Sequence, residues 1–187
     1  MSSKPVGFIL LKQKMRVFLI GYMGVGKTTI GKKLASRLSL KFIDLDHFIA
    51  EKEHLKVAHI IERKGEQYFR ILEKKYLEEV CELENILVST GGGTPCFFQN
   101  MDTINANGRS IFLKLDEKSL INRLVNSRDS RPLLAGKNAE ELAVFIQKHL
   151  NERLPFYERA HLEFDMMHLN SKRLDDLENE IKRLELF

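Results

Sequence analysis

The sequence predicts an α/β fold, in which helices cover both faces of a parallel sheet. Short apolar segments that are typical of buried strands alternate with longer segments whose apolar residues recur at helical spacing. This alternation favours a parallel sheet, because a helix returns the chain to the end of the sheet from which each parallel strand starts. The 187 residues hold no internal repeat and no linker of domain scale, so we expect a single domain over residues 15–187.

Five segments predict strands. The first, at 15–20, is apolar and ends abruptly at Gly21. The others are expected at 41–44, 84–89, 110–115 and 161–164. Segments as short and apolar as these are typical of strands that are buried on both faces.

The spacing of apolar residues predicts helices between and after the strands. They are expected at 27–38, 48–83 and 117–125, from 139 to the region of Arg153, and over the segment with Leu174, Leu177, Ile181 and Leu184. The second should break near 55–56 and 64–65. Pro155 should interrupt the fourth, because proline removes a helical hydrogen bond. The polar stretch 126–138 holds a proline and a glycine and predicts a mobile loop.

The composition excludes several classes of protein. A hydrophobic fraction of 43% is too high for a disordered chain, and no apolar run is long enough for a membrane span. Three of the four excess positive charges lie in residues 1–14, which we interpret as an extension outside the domain, with Met15 as an alternative start. The nearly neutral remainder does not indicate nucleic-acid binding. Cys81 and Cys96 match no disulfide framework or metal motif, and we expect reduced thiols in a cytoplasmic protein.

The segment Gly-Tyr-Met-Gly-Val-Gly-Lys-Thr at 21–28 fits the phosphate-binding pattern GxxxxGK[ST]. It stands where this motif requires, after an apolar strand and before an amphipathic helix. Its glycines let the backbone approach phosphate closely, and its amides and the helix N-terminus attract the oxygens. Lys27 would add positive charge, and the Thr28 hydroxyl would face a metal ion. The candidate nucleotide-binding residues are Gly21, Met23, Gly24, Val25, Gly26, Lys27, Thr28 and Thr29.

Two aspartates end predicted strands and could complete a Mg²⁺ site with Thr28. Asp116 opens a predicted helix, so an N-cap role is its alternative. Asp44 is the stronger candidate, because Asp46 follows two residues on and both side chains would point the same way in an extended segment. Asp46 would then reach a substrate hydroxyl, with capping of the next helix as its alternative. Neither DxxG nor NKxD occurs, which argues against a GTPase and favours a small-molecule kinase.

These motifs, in this order, resemble those of the shikimate kinases. The resemblance rests on the phosphate loop, Asp44-x-Asp46, Phe69-Arg70, the glycines at 91–93 and the Arg131-Pro-Leu-Leu segment. It covers residues 15 to about 165 and implies the P-loop fold of the nucleoside monophosphate kinase-like branch. That fold has three layers and the sheet order 2-3-1-4-5. The segment from Met166 onward diverges from the pattern, so the adenine-contacting residues expected near Asn170 stay unassigned.

The resemblance assigns the carboxylate of an anionic acceptor to Arg70 and Arg153. A guanidinium fork suits a planar carboxylate better than lysine does. Taken alone, each arginine would more simply be a solvated charge on a helix. Glu73 matches a position that orients Arg70, with an ordinary surface ion pair as the alternative. The acceptor-binding region would span about 45–80.

The glycines at 91–93 follow a predicted strand, so their amides can donate to substrate oxygens, with a structural hinge as the alternative. Ser89 and Thr90 are weaker candidates for contacts to the water shell of the metal ion. The candidate shikimate-binding residues are Asp46, Arg70, Gly91, Gly92, Gly93 and Arg153.

Arg131 lies in the loop 126–138, which the resemblance identifies as a lid. An arginine that arrives on lid closure would stabilise the transferring phosphoryl group and also contact ATP. Arg128 is a lesser candidate. The role of Arg123, near the place of an adenine-stacking residue, stays open. Tyr22 stands where many members of the family carry Phe.

The resemblance implies transfer of the γ-phosphoryl group of ATP to the 3-hydroxyl of shikimate, in the chorismate pathway. The cofactor would be Mg²⁺, and the catalytic residues Lys27, Asp46 and Arg131. Asp46 would orient the hydroxyl first and act as a base second, because a metaphosphate-like transition state needs little activation of the nucleophile. The alternatives are a gluconate or nucleoside monophosphate kinase and a nucleotide-binding module without transferase activity. The family also implies a monomer, and we expect no nucleic-acid or membrane partner.

Overall fold

The computed structural model describes residues 14–126 and 138–184, and the sheet formed by these residues has five parallel strands. The strands are β1 (Arg16–Ile20), β2 (Lys41–Asp44), β3 (Ile86–Ser89), β4 (Arg109–Lys114) and β5 (Leu162–Asp165). Their order, β2-β3-β1-β4-β5, confirms the order that the resemblance implied. Of the predicted extension, residues 1–13 lie outside the described ranges.

Helices connect the strands. They are α1 (Lys27–Leu38), α2 (Leu45–Glu53), α3 (Val57–Lys64), α4 (Glu66–Cys81), α5 (Asn100–Asn107), α6 (Glu117–Val125), α7 (Ala139–Tyr157) and α8 (Ser171–Leu184). A single 3₁₀ turn, Thr94–Cys96, follows the glycines after β3. The breaks predicted near 55–56 and 64–65 are confirmed, because α2, α3 and α4 divide the chain there.

The central strand β1 is buried on both faces. Its side chains at 17–20 are each 0% exposed, and successive side chains of a strand point to opposite faces. Helix α1 packs closely on one face, since a Cβ added at Gly31 would lie 3.2 Å from the side chains of Leu19 and Leu87. The opposite face must be covered as well, which confirms the three-layer arrangement.

Three neighbouring strands end at the same edge of the sheet. Ser89, the last residue of β3, pairs with Leu19 of β1 on one side and with Asp44 of β2 on the other. The chain leaves β1 for the phosphate loop one residue further on. The loop, Asp44 and the glycines that follow Ser89 therefore start from adjacent positions.

The aspartates after β2 depart from the sequence prediction. Asp44 ends the strand and caps α2, because its carboxylate accepts from the backbone N–H of His47 at 3.4 Å. Asp46 lies in the first turn of that helix, so both the extended segment and the predicted cap at Asp46 were wrong. The helix begins early because Leu45 and Ile49, four residues apart, are both buried against the core.

Two further helical predictions need correction. Pro155 lies inside α7 without interrupting it, because it falls in the last turn and the helix already ends at Tyr157. Helix α5 is missing from the sequence prediction, since it buries only Met101 and Ile104 among its apolar residues and is rich in asparagine, a weak helix former. The cap considered for Asp116 is confirmed, because its carboxylate accepts from the backbone N–H three residues further on.

Candidate active site

The phosphate loop lies between β1 and α1 and is shaped by its glycines. Gly24 and Gly26 have φ angles of 83° and 104°, in the left-handed region that glycine enters without steric cost. Gly21 is needed for space as well, because a Cβ there would lie 2.6 Å from the backbone oxygen of Leu113 in β4. Backbone conformation and packing thus both select glycine in this loop.

Lys27 lies across the loop. Its ammonium group donates to the carbonyl oxygens of Gly21 at 2.7 Å and of Tyr22 at 3.0 Å, and the residue is only 8% exposed. The positive charge is therefore held where the outer phosphates of a nucleotide would meet the loop.

A cleft of about 450 Å³ opens beside the loop. It is lined by Met23, Gly24, Gly26, Lys27, Thr28, Thr29, Asp44, Asp46, Ser89, Thr90, Gly91 and Gly92. Residues predicted separately for nucleotide, metal and acceptor thus surround one cavity.

The Thr28 hydroxyl donates to the carboxylate of Asp44 at 2.7 Å. Both groups offer hard oxygen ligands of the kind Mg²⁺ takes, and Mg²⁺ usually uses one or two carboxylates and keeps several waters. No cluster of three histidine, cysteine or acidic residues suited to a metal occurs within the described ranges. The pair therefore fits Mg²⁺ that is shared with phosphate oxygens and water, and it does not fit an all-protein metal cage.

Arg70 is buried beside the cleft and is held by two carboxylates. Its Nη1 donates to Glu73 at 2.8 Å and its Nη2 donates to Glu66 at 2.9 Å. The Phe97 ring lies 4.1 Å below the guanidinium carbon. Among the described residues, the Arg70 Nε atom has no hydrogen-bond partner. A buried donor without a partner is costly, so the guanidinium is not fully satisfied by its contacts within the described residues.

Glu73 is 0% exposed and is satisfied on both sides. Besides Arg70, it accepts from the Thr94 hydroxyl at 2.6 Å. Arg70 and Glu73 are thus not a surface ion pair. The geometry of Glu73 fits the orienting position that the resemblance implies. Thr94 escaped the sequence analysis, because the 3₁₀ turn that carries it has no sequence signal of its own.

The three glycines after β3 are closely packed by the candidate acceptor residues. A Cβ added at Gly93 would lie 2.7 Å from Nη2 of Arg70, and one at Gly92 would lie 3.4 Å from Nη1 of Arg153. At Gly91, the same atom would lie 2.9 Å from Asp46 and 3.0 Å from Glu73. A larger residue would have to displace these side chains, and the candidate acceptor residues meet around this backbone.

Arg153 and Tyr157 approach the glycines from α7. Arg153 is 6% exposed, and Tyr157 is 0% exposed. The Tyr157 hydroxyl donates to the carbonyl oxygen of Gly92 at 2.5 Å, and burial raises the pKa of this phenol strongly. Tyr157 therefore stays protonated and fixes the glycine backbone, a role that sequence analysis did not assign.

Asp46 is accessible from the cleft but is recessed among its walls. This desolvation, followed by the charges of Glu73 and Asp44, raises the pKa of Asp46 to about 6. Lys27 and Arg70 act in the opposite direction. The carboxyl group thus holds a proton more readily than an ordinary aspartate does.

A second cleft of about 410 Å³ adjoins the phosphate loop. It is lined by Val25, Gly26, Thr29, Ile30, Lys33, Arg123, Met166, His168 and Leu169. The Arg123 guanidinium donates to the carbonyl oxygen of Val25 at 3.3 Å. The cleft is formed where the chain beyond β5 passes α1, so Met166 and its neighbours belong to the site despite their divergent sequence.

Two arginines of the predicted lid lie outside the residues that the structure describes. Arg131 and Arg128 lie outside the described residues, as does the loop 126–138 apart from its two end positions. The predictions for them stay predictions.

The sheet order and the loop after the central strand place the chain among the P-loop nucleotide-binding proteins. Two buried arginines pack against the glycine run beside the cleft without lining it, and this placement favours a phosphotransferase with a small anionic acceptor. Within the described ranges, none of the helices combines the length and apolar character needed to cross a bilayer.

Comparisons with known proteins identify the family. The shikimate kinase family model matches residues 23–182. A shikimate kinase of Parabacteroides distasonis is 45% identical over 90% of this chain and 98% of its own length. A crystal structure of shikimate kinase from Bacteroides thetaiotaomicron has 40% identity and a TM-score of 0.83, and the match covers 92% of this chain and 99% of that one. The chain therefore belongs to the shikimate kinase family.

The family match also extends the resemblance inferred from motifs. It continues through most of α8, beyond the point near residue 165 where the recognisable motifs end. A gluconokinase from Sinorhizobium meliloti matches 93% of this chain and 95% of its own, with a TM-score of 0.58 and 14% identity. At that identity the likeness shows the shared fold alone.

Proposed function

We propose that this chain transfers the γ-phosphoryl group of ATP to the 3-hydroxyl of shikimate, within chorismate biosynthesis. The observation that carries the proposal is the convergence of the two candidate sites. The glycine run approaches the phosphate loop at Gly92, where a Cβ would lie 3.1 Å from the Met23 nitrogen, and it approaches Arg70 at Gly93. Donor and acceptor bound in the two halves would therefore meet.

Phosphoryl transfer of this kind depends on positioning and charge. The loop amides and Lys27 would bind the β- and γ-phosphates. Arg70 and Arg153 would bind the acceptor carboxylate, with the glycine amides donating to its hydroxyl oxygens. Arg131 would contact the transferring group.

Thr28 and Asp44 would hold Mg²⁺, which supplies positive charge to the phosphate oxygens. Asp46 would accept a hydrogen bond from the 3-hydroxyl and so aim its oxygen at the γ-phosphorus. Its raised pKa suits an orienting group that can also take up a proton as the new bond forms.

We also propose that the second cleft receives the nucleoside part of ATP. It shares Gly26 and Thr29 with the phosphate cleft, so a nucleotide can span both. Arg123 would lie beside the base. We further propose that the protein is a monomer, that it lies in the cytoplasm and that residues 15–187 form a single domain. Both cysteines lie among the described residues and are free thiols.

A coupled assay of ADP release tests this function, with MgATP and shikimate as the varied acceptor. Gluconate and a nucleoside monophosphate serve as competing acceptors at equal concentrations. We expect saturable, shikimate-dependent ADP release and one phosphorylated product by mass spectrometry. Preference for another acceptor, or ATP binding without any phosphorylated product, would overturn the proposal.

A further inference from the structure

We infer that Tyr22 and His149 form a positioning pair that holds Arg153 in place beside the phosphate loop. The inference rests on the proposed function, because its readout is the binding of the acceptor acid. Tyr22 belongs to the loop but does not line the cleft, and it is only 2% exposed. Tyr22 can therefore affect the site only through the residues that it contacts.

Tyr22 touches both halves of the site. Its carbonyl oxygen accepts from the Lys27 ammonium at 3.0 Å. The Arg153 guanidinium carbon lies 5.6 Å from the centre of its ring, within reach of a cation–π interaction. One residue therefore connects the lysine proposed for phosphate with an arginine proposed for the acid.

The hydroxyl of Tyr22 anchors this residue to α7. It lies 2.9 Å from Nδ1 of His149, which precedes Arg153 by four residues and so lies on the same side of the helix. The two rings meet edge to face, with centres 5.6 Å apart. Phe145 packs on the imidazole at 5.0 Å. A shift of α7 along its axis would move Arg153 and break the contact between Tyr22 and His149.

Charge and burial keep both partners of this hydrogen bond neutral. Burial raises the pKa of Tyr22 to about 12, against the influence of Arg153. Burial, followed by the charge of Arg153, lowers the pKa of His149, while Glu152 and Glu66 act in the opposite direction and Arg70 lowers it further. Both groups are therefore neutral, and we assign the imidazole its Nε2–H tautomer, in which Nδ1 accepts from the Tyr22 hydroxyl.

Removal of this hydrogen bond should loosen Arg153 and leave the loop backbone, to which Lys27 donates, unchanged. In Tyr22→Phe the ring remains and the donor is lost, and in His149→Leu the acceptor is lost. We expect each change to raise the KM for shikimate by about 3-fold to 10-fold, the size of one neutral hydrogen bond. The KM for ATP and kcat should stay within about twofold, because Lys27 bonds to the backbone of Tyr22 and not to its side chain.

Three comparisons separate this role from general loosening. The double variant should be no worse than either single one, because both changes remove the same bond. His149→Asn, whose side-chain oxygen can accept near the Nδ1 position, should restore most of the acceptor affinity. Tyr76→Phe removes another buried phenol contact, to Glu53 at 2.5 Å, and should leave the KM for shikimate unchanged.

The pH profile gives a further readout. Protonated His149 would place a second positive charge beside Arg153, so the wild-type KM for shikimate should rise in mildly acidic solution by an amount that is missing in His149→Leu. An unchanged KM in Tyr22→Phe, additive effects in the double variant, or an equal effect of Tyr76→Phe would each overturn the inference. A wild-type chain that does not phosphorylate shikimate would instead overturn the proposed function.

Discussion

The carboxylate of Glu73 and the guanidinium of Arg70 form a buried ion pair, with 2.8 Å between Oε2 and Nη1. They lie three residues apart on α4, and neither side chain is more than 9% exposed. An arginine already fixed by such a partner loses little freedom when it binds a ligand. In the proposed function, Arg70 would therefore be prepared for a carboxylate before the acceptor arrives.

Replacement of Arg70 by lysine should weaken acceptor binding. The positive charge stays but the planar fork is lost, so we expect the KM for shikimate to rise roughly 10-fold to 100-fold, in line with hydrogen bonds to charged groups. Steady-state kinetics with each substrate varied in turn measures the effect. Arg63→Lys, at an exposed position of α3, is the matched control. An unchanged acceptor KM would contradict the carboxylate assignment.

Replacement of Lys27 by alanine should reduce turnover. In the proposed function its ammonium would supply charge to the phosphates during transfer, and we expect kcat to fall by about 10²-fold to 10⁴-fold, the size of comparable electrostatic contributions. Lys118→Ala, an exposed change on α6, controls for the loss of a lysine. Activity within about threefold of wild type would remove Lys27 from the mechanism.

A methyl group at Gly93 should displace Arg70. The added Cβ would lie within 2.7 Å of the guanidinium, so Gly93→Ala should raise the KM for shikimate and leave the KM for ATP nearly unchanged. Gly65→Ala is the contrasting variant, because it meets no atom within 4 Å but strains a φ angle of +84°. It should lower the thermal midpoint without affecting the KM for shikimate. The opposite pattern would show that the glycines do not shape the acceptor site.

Removal of divalent metal should abolish turnover. Chelation with EDTA is expected to stop ADP release, and added Mg²⁺ should restore it. In Asp44→Asn, the Mg²⁺ concentration for half-maximal rate should rise about tenfold or more, a typical loss when a carboxylate near a metal is removed. A variant with the wild-type Mg²⁺ requirement would exclude Asp44 from the metal site.

His161 should make the fold less stable in mildly acidic solution. Its Nδ1 accepts from the backbone N–H of Ser110 at 3.1 Å, which a protonated ring cannot do. Burial, and to a lesser extent the charge of Arg109, lowers the pKa of His161. In the unfolded chain histidine titrates near 6.5. Below that pH the unfolded state binds the proton first, so the free energy of unfolding falls until the folded state is protonated too.

Urea unfolding at about pH 7.5 and about pH 5.5 measures this dependence. His161→Asn is the comparison, because an amide oxygen accepts the Ser110 hydrogen bond at either pH. The variant should lose less stability between the two pH values than the wild type. Equal losses would show that the Ser110 contact does not depend on the protonation of His161.

Local patterns predicted the parts of the fold that local forces determine. Helix α1 has the predicted bounds because a phosphate motif precedes it and Ile30 and Leu34 repeat at helical spacing. Helix α5 lacks both kinds of signal and was missed. Asp46 was predicted in an extended segment, but it lies in the first turn of a helix. The local sequence is compatible with both, and the tertiary packing that buries Leu45 decides for the helix.

Contacts between segments that are distant in the sequence limit how much of the candidate site could be predicted. The Arg70–Glu73 pair follows from a spacing of three residues and could be inferred from the family pattern. The contact between Tyr22 and His149 joins residues 127 positions apart, and no periodicity marks either one. The hydrogen bond from Tyr157 to the Gly92 carbonyl also joins distant residues, and no sequence pattern predicts it.

The first glycine of the phosphate loop has an evolutionary consequence. Any side chain at Gly21 would collide with the main-chain oxygen of Leu113, which cannot move without distorting a neighbouring strand. Natural selection would therefore retain Gly21 in a descendant that had lost catalysis, whereas Lys27 would be free to drift. Among degenerate relatives, the lysine and not this glycine would distinguish a working enzyme from a relic.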